Sequence, residues 1–88
     1  MAEVDNPRDS STPLDRALAG VLVGAYKGRR LNQEYLHHRT GITVATLQRL
    51  MAGKSQFSVH QLSLLAEAIG GKTAPEYLEE AMGLHGHS

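Results

Sequence analysis

The side chains best suited to chemistry in this 88-residue chain lie in one short stretch near its middle. Thr46 and Gln48 can form hydrogen bonds with the edges of nucleic-acid bases, and Arg49 can contact guanine or a phosphate. Val44 and Ala45 offer apolar contacts, most usefully with a thymine methyl group. This mixture of side chains indicates recognition of a DNA groove rather than a chemical reaction.

Two short helices separated by a glycine turn must position these side chains. Asn32 is a good cap for the first helix, and Thr43 is a good cap for the second. Gly41 lies between them and adopts positive φ without a steric penalty. Leu47 and Leu50, three residues apart, face inward and orient the second helix. The pattern is typical of a helix-turn-helix, whose second helix enters the major groove of DNA.

Polar side chains on either side of the second helix suit the DNA backbone. Gln33 lies in the first turn of the helix that Asn32 caps, where N–H groups and the helix dipole favour a phosphate oxygen. Lys54, Ser55 and Gln56 follow the second helix and are placed for backbone contacts. The residues predicted to bind DNA are Gln33, Thr43, Val44, Ala45, Thr46, Gln48, Arg49, Lys54 and Ser55.

The net charge of zero conceals an uneven distribution along the chain. Residues 27–54 contain six basic residues and one acidic residue, a net charge of +5. Residues 1–16 have a net charge of −2, and residues 67–80 have a net charge of −3. The basic segment coincides with the helix-turn-helix pattern, which favours a polyanion as partner. The alternative is a solvated surface on which basic residues cluster by chance.

Start signals recur along the rest of the chain and predict five helices and no strand. Thr12 precedes a proline, Ser58 forms a capping box with Gln61, and Thr73 forms another with Glu76. The predicted fold is all-α, a compact five-helix domain. Its predicted organisation is a disordered segment over 1–11, a DNA-binding domain over 12–83 with helices at about 13–27, 32–39, 43–52, 58–69 and 74–83, and a flexible tail over 84–88.

The first predicted helix has glycines at four-residue spacing. Gly20, Gly24 and Gly28 each weaken the helix by about 1 kcal/mol relative to alanine. Their spacing predicts one thin face that a neighbouring helix of the same domain can approach closely.

Composition and motifs exclude most other classes of protein. The chain has no cysteine, so disulfides and cysteine-based zinc sites are excluded. His37 and His38 are adjacent and face different directions on a helix, so they do not share a metal ion. His85 and His87 lie in the predicted tail, where disorder is favoured over weak metal binding. No serine or threonine lies in a nucleophile-elbow pattern. We expect neither an enzyme nor a cofactor or metal.

Nothing in the sequence predicts export or insertion into a membrane. The first 16 residues are polar and acidic and lack the apolar segment of a signal peptide. The longest apolar run, over 21–23, is far too short to cross a bilayer. The expected location is the cytoplasm.

Residues 31–70 resemble the lambda-repressor-like (Cro/repressor-type, XRE-like) helix-turn-helix family. The matching positions are Leu31, Gln33, Glu34, Leu36, Thr40, Gly41, Ile42, Leu47, Leu50, Gly53, Lys54, Ser58, Leu62 and the run over 65–70. The resemblance implies a sequence-specific DNA-binding regulator, a phage- or prophage-type repressor acting as a dimer at a pseudo-palindromic operator. It also implies that Gln33 and the outward residues of the second helix face DNA. The alternative is an antitoxin or interaction module that keeps the fold and acts through a protein partner.

Two positions depart from the family pattern. His37 occupies a position that is usually small because the two helices approach closely there. Its ring is expected either to tilt the helices or to rotate outward with His38. Val44 replaces a long polar side chain that often bonds a base, so any base recognition there is apolar.

The fifth predicted helix has an apolar stripe with two interpretations. The stripe can fold back on the core, or it can contact a second subunit, because a DNA-binding protein this small gains affinity by dimerising. The residues predicted as a dimer contact are Tyr77, Leu78, Ala81 and Met82.

Overall fold

The computed structural model describes residues 11–86, with side chains as far as residue 83. Within these residues it contains five helices and no strand, which confirms the predicted all-α fold. The helices are α1 (Pro13–Gly28), α2 (Gln33–Thr40), α3 (Val44–Met51), α4 (Val59–Ile69) and α5 (Ala74–Gly86). The predicted disordered segment lies outside the described residues except for Ser11, as do residues 87–88 of the predicted tail.

Every helix starts at a side chain that caps it. Thr12, Asn32, Thr43, Ser58 and Thr73 each accept a hydrogen bond from the backbone N–H three residues further on. These bonds satisfy N–H groups that have no partner within the helix, and each cap stabilises its helix by about 1 kcal/mol. The helix starts are therefore set by local chemistry that the sequence displays.

An aliphatic core joins the five helices. The helix α1 packs against α3 and α5, α2 packs against α3 and α4, and α4 packs against α5. Four leucines from four different helices are fully buried at the centre, namely Leu22, Leu36, Leu47 and Leu65. Each stabilises the fold by about 2–3 kcal/mol through burial of its side chain. Because Leu47 and Leu50 of α3 are both buried, the core fixes the rotation of that helix.

The helix α5 extends beyond its predicted end at residue 83 and continues to Gly86. The helix therefore ends three residues beyond its predicted end, inside the segment predicted as a tail. A single glycine destabilises a helix by about 1 kcal/mol relative to alanine, and Gly83 alone does not end one that packs along a neighbour.

The glycine face of α1 is open. A Cβ atom built on Gly20, Gly24 or Gly28 meets no described atom within 4 Å, so no described helix packs on this face. The prediction of a close approach by a neighbouring helix of the domain was wrong for the described residues. A groove of about 550 Å³ lies there instead, bordered by Lys72 and by Tyr77 of α5.

Gly24→Ala is expected to raise the free energy of unfolding by about 0.5–1 kcal/mol, because alanine favours the helix and the added methyl group meets no obstacle.

Gly53→Ala is expected to have the opposite effect on the free energy of unfolding. Gly53 has φ of +76°, and its Cβ would lie 3.1 Å from Cγ of Arg16. We expect a loss of about 1–2 kcal/mol there. Urea denaturation measures the change in unfolding free energy in each variant. A lower unfolding free energy for Gly24→Ala would contradict the absence of neighbouring atoms around the α1 glycines.

Candidate DNA interface

The start of α3 is held by a pair of threonine hydroxyls. The Thr43 hydroxyl accepts the Thr46 N–H at 3.2 Å and donates to the Thr46 Oγ1 at 2.9 Å. Thr43 is therefore committed to the cap. Among the hydrogen bonds of residues 11–83, none uses the hydroxyl proton of Thr46, which leaves Thr46 the better donor for an external acceptor.

The outward face of α3 presents short and polar side chains. Ala45 and Gln48 are exposed, and Val44 and Thr46 are half-buried. The opposite face is anchored by Leu47, whose side chain is fully buried. This arrangement gives α3 a projecting first turn of the size that a major groove admits.

Arg49 joins the end of α3 to the loop that follows it. Its Nε–H donates to Oγ of Ser55 at 3.1 Å, so the structure brings together two of the predicted DNA-binding residues. Lys54, which directly precedes Ser55, is exposed. The guanidinium is therefore held beside the loop that follows α3.

Gln33 is held by an aromatic hydroxyl from α1. Its Nε2 donates to the hydroxyl of Tyr26 at 3.3 Å, and Tyr26 is itself buried. The amide of Gln33 is thereby oriented at the start of α2. The apolar spacing of α1 gave no indication of this contact, because Tyr26 contributes to the interface through its hydroxyl and not through its ring.

One residue just before α1 and one in its first turn hold the loop over 53–57, and sequence reasoning missed both. Ser11 Oγ donates to the carbonyl of Gly53 at 2.6 Å. The Asp15 Oδ1 accepts the N–H of Phe57 at 3.0 Å. We call Ser11 and Asp15 the N-terminal tether. Each bond spans 42 residues of sequence, so no local pattern indicates it.

The carboxylate of Asp15 is buried and ionised. Burial by itself raises the pKa of Asp15, but the hydrogen bonds from the Phe57 N–H and from Thr12 outweigh it, and the resulting pKa lies below its usual value. The Thr12 bonds come from its N–H at 2.9 Å and its hydroxyl at 2.8 Å, both to Oδ2. The carboxylate therefore uses one oxygen for the loop and the other for the cap of α1.

Acid is expected to remove the contribution of Asp15 to stability. Because the folded pKa is lowered, the contribution is complete above the unfolded pKa of about 3.9 and is lost as pH falls through the folded value. The difference in unfolding free energy between the wild type and Asp15→Asn should stay constant at neutral pH and shrink in strong acid. Urea denaturation at a series of pH values measures it, and a difference that grows below pH about 4 would contradict the assignment.

His37 closes over the turn between α2 and α3. Its Nδ1 lies 2.7 Å from the carbonyl oxygen of Ile42 and therefore donates to it. The ring is half-buried, whereas His38 is exposed. The ring of His37 also lies beside that of His38, with their centroids 5.2 Å apart. The imidazole of His37 is larger than the side chain that the family pattern has at this position. Its hydrogen bond gives the Ile42 carbonyl in the turn a partner.

The basic segment over 27–54 does not form one continuous surface. The Arg29 guanidinium lies within 4 Å of the Cβ positions of Gly70 and Gly71, at the turn before α5. Arg39 lies over the ring of Tyr35 on α2, 5.9 Å from its centroid. Arg29, at least, therefore lies beside the turn before α5.

The predicted dimer contact divides into core and surface residues. Tyr77 and Ala81 are buried within the chain itself, and the Tyr77 hydroxyl donates to the carbonyl of Gly70 at 3.0 Å. Their prediction as contacts to a second subunit is corrected, because helical spacing alone does not distinguish a core stripe from an interface stripe. Leu78 packs against the core, and Met82 remains 53% exposed.

Neither a metal-binding cluster nor a membrane-spanning helix occurs among the described residues. No group of three or more histidine or acidic side chains within residues 11–83 is arranged to hold a metal ion. No helix in the same part of the chain combines the length and the hydropathy needed to cross a bilayer.

Comparison with known proteins gives one match. A family model described as helix-turn-helix, of the XRE and lambda-repressor-like type, matches residues 25–77, more than half of the chain. The matched segment contains α2, α3 and α4 entirely. Neither the curated proteins nor the solved structures include a significant match.

Proposed function

The chain belongs to the XRE/lambda-repressor-like helix-turn-helix family of DNA-binding regulators, and we propose that it is a sequence-specific transcriptional repressor of phage or prophage type. The observation that carries the proposal is the geometry of α3. Thr43 caps this helix two residues after the left-handed Gly41, and the buried Leu47 turns Ala45 and Gln48 outward.

In this proposal the first turns of α3 enter the major groove and contact bases. Thr46 and Gln48 form hydrogen bonds with base edges, and Val44 and Ala45 contact thymine methyl groups. Because two of the four contacts are apolar, A·T base pairs are favoured beside the start of α3.

The proposed backbone contacts come from both sides of α3. Gln33, positioned by Tyr26, reaches a phosphate from the start of α2, with the dipole of that helix in support. Lys54 and Ser55 reach the backbone from the loop after α3. Arg49 lies between the two groups and contacts either guanine or a phosphate.

We further propose that two copies act together in the cytoplasm on a pseudo-palindromic operator. One α3 contacts only a few base pairs, whereas two copies present two such helices to major grooves about 34 Å apart. The exposed Met82 is the residue of the predicted contact that remains accessible to a second copy.

Salt dependence of binding tests the proposal. The wild-type protein is titrated into a fluorescently labelled mixed-sequence duplex at several salt concentrations. We expect the logarithm of the association constant to fall with the logarithm of salt concentration, with a slope of about −0.9 for each phosphate contacted. Absence of binding at low salt would overturn the proposal. Glu79→Ala, on the exposed acidic face of α5, is the control that leaves binding intact or improves it slightly.

A further inference from the structure

The loop over 53–57 is fixed at both of its ends by the N-terminal tether. Ser11 binds the carbonyl of Gly53 at the first residue of the loop, and Asp15 binds the N–H of Phe57 at the last. Arg49 adds a third connection through Ser55 near the middle. The loop is thus bonded to two helices although it has no regular secondary structure of its own.

The two carboxylate oxygens of Asp15 bind different parts of the chain. Oδ2 accepts both Thr12 bonds and completes the capping box of α1, and Oδ1 accepts only the Phe57 N–H among the described residues. A capping aspartate needs only one oxygen for its cap. The second oxygen therefore has a function outside α1, which is to hold the loop.

A loop held in one conformation binds better than one that must become ordered on binding. Ordering of backbone and side chains opposes association, so residues fixed beforehand contribute more of their contact energy to affinity. Lys54 and Ser55, the loop residues proposed to contact the DNA backbone, lie between the two tether bonds. Their positions relative to α3 are consequently set by α1.

We propose that Ser11 and Asp15 are positioning residues for DNA binding, which fix the loop over 53–57 so that Lys54 and Ser55 meet the backbone while α3 occupies the groove. The inference rests on the proposed function and adds a role for α1, a helix that itself contacts no DNA in that proposal. Neither tether residue touches DNA.

Two tether variants and one matched control test the proposal. Asp15→Ala removes the bond to Phe57, and Ser11→Ala removes the bond to Gly53 while it leaves the α1 cap intact. The control, Thr12→Ala, weakens the α1 cap but retains the bond that the Phe57 N–H donates to Asp15. Ser11→Ala keeps the proposal testable if Asp15→Ala does not fold.

Three quantities are measured on the folded variants. These are amide hydrogen exchange at residues 54–57, affinity for the labelled mixed-sequence duplex at low salt, and the salt slope of that affinity. We expect both tether variants to exchange faster in the loop and to bind more weakly, by up to about tenfold for Asp15→Ala. Their slopes should be shallower, because fewer phosphates are contacted. Thr12→Ala should match the wild type in all three.

The outcomes distinguish this inference from the proposed function. If the wild type binds the duplex and both tether variants bind equally well with the same slope, the tether has no positioning role and the DNA-binding proposal stands. If Thr12→Ala loses as much affinity as Asp15→Ala, affinity follows the stability of α1 and the inference is overturned. If the wild type binds no duplex, both proposals fail together, and the exchange data then report only the order of the loop.

Discussion

Arg49→Ala is expected to lower the affinity for duplex DNA by about ten- to a hundredfold, the range of one good charged contact to guanine or phosphate. The guanidinium lies at the junction of α3 and the loop, bonded through Nε to Ser55. The substitution therefore removes a cation beside the groove and one connection of the loop at once. No other single side chain of the candidate interface combines the two roles.

Arg49→Lys separates those roles. Lysine keeps the positive charge but lacks the planar fork that bonds a base edge and Ser55 together. If Arg49 contacts guanine, both variants lose discrimination between sequences. If Arg49 contacts a phosphate, the Arg49→Lys variant keeps nearly the wild-type affinity for DNA. Only Arg49→Ala then makes the salt dependence of the affinity shallower, by the amount expected for about one phosphate contact. Wild-type affinity in Arg49→Ala, measured beside the Glu79→Ala control, would exclude Arg49 from the interface.

Leu47→Ala is expected to produce the largest loss of stability of the substitutions considered, about 3 kcal/mol. Leu47 is fully buried where α3 meets the core, so its loss removes burial energy and leaves a cavity. A domain of this size has a total stability of about 5–10 kcal/mol, of which this is a large part. The rotation of α3 also depends on Leu47, so DNA affinity should fall even under conditions where the variant remains folded.

Urea denaturation followed by circular dichroism measures the effect. Val59→Ala is the matched control, because it also shortens an apolar side chain but at a position that is 83% exposed. It should change the unfolding free energy by less than about 0.5 kcal/mol. Equal losses of unfolding free energy in the two variants would mean that α3 does not pack against the core as described.

Helix starts could be predicted from the sequence because a cap and its partner are three residues apart. Thr12, Asn32, Thr43, Ser58 and Thr73 all act as predicted, since the hydrogen bond that starts each helix is local. The all-α fold followed from the same signals together with the helical spacing of apolar residues.

Features that depend on tertiary packing could not be predicted in this way. The tether bonds of Ser11 and Asp15 join positions 42 residues apart, and nothing in the neighbourhood of either residue indicates its partner. The burial of Tyr77 depends on where α1 lies relative to α5, because the same stripe suits a core or an interface. The bond from His37 to Ile42 likewise depends on the path of the turn.

Selection of bound sequences from a pool of random duplexes tests the central claim most directly. The account predicts enrichment of a short consensus made of two inverted half-sites about 10 base pairs apart, with A·T pairs opposite the start of α3. Repetition with Arg49→Ala should weaken the consensus. Recovery of a pool no different from the input, under salt conditions where the wild-type protein binds DNA, would contradict sequence-specific recognition by α3.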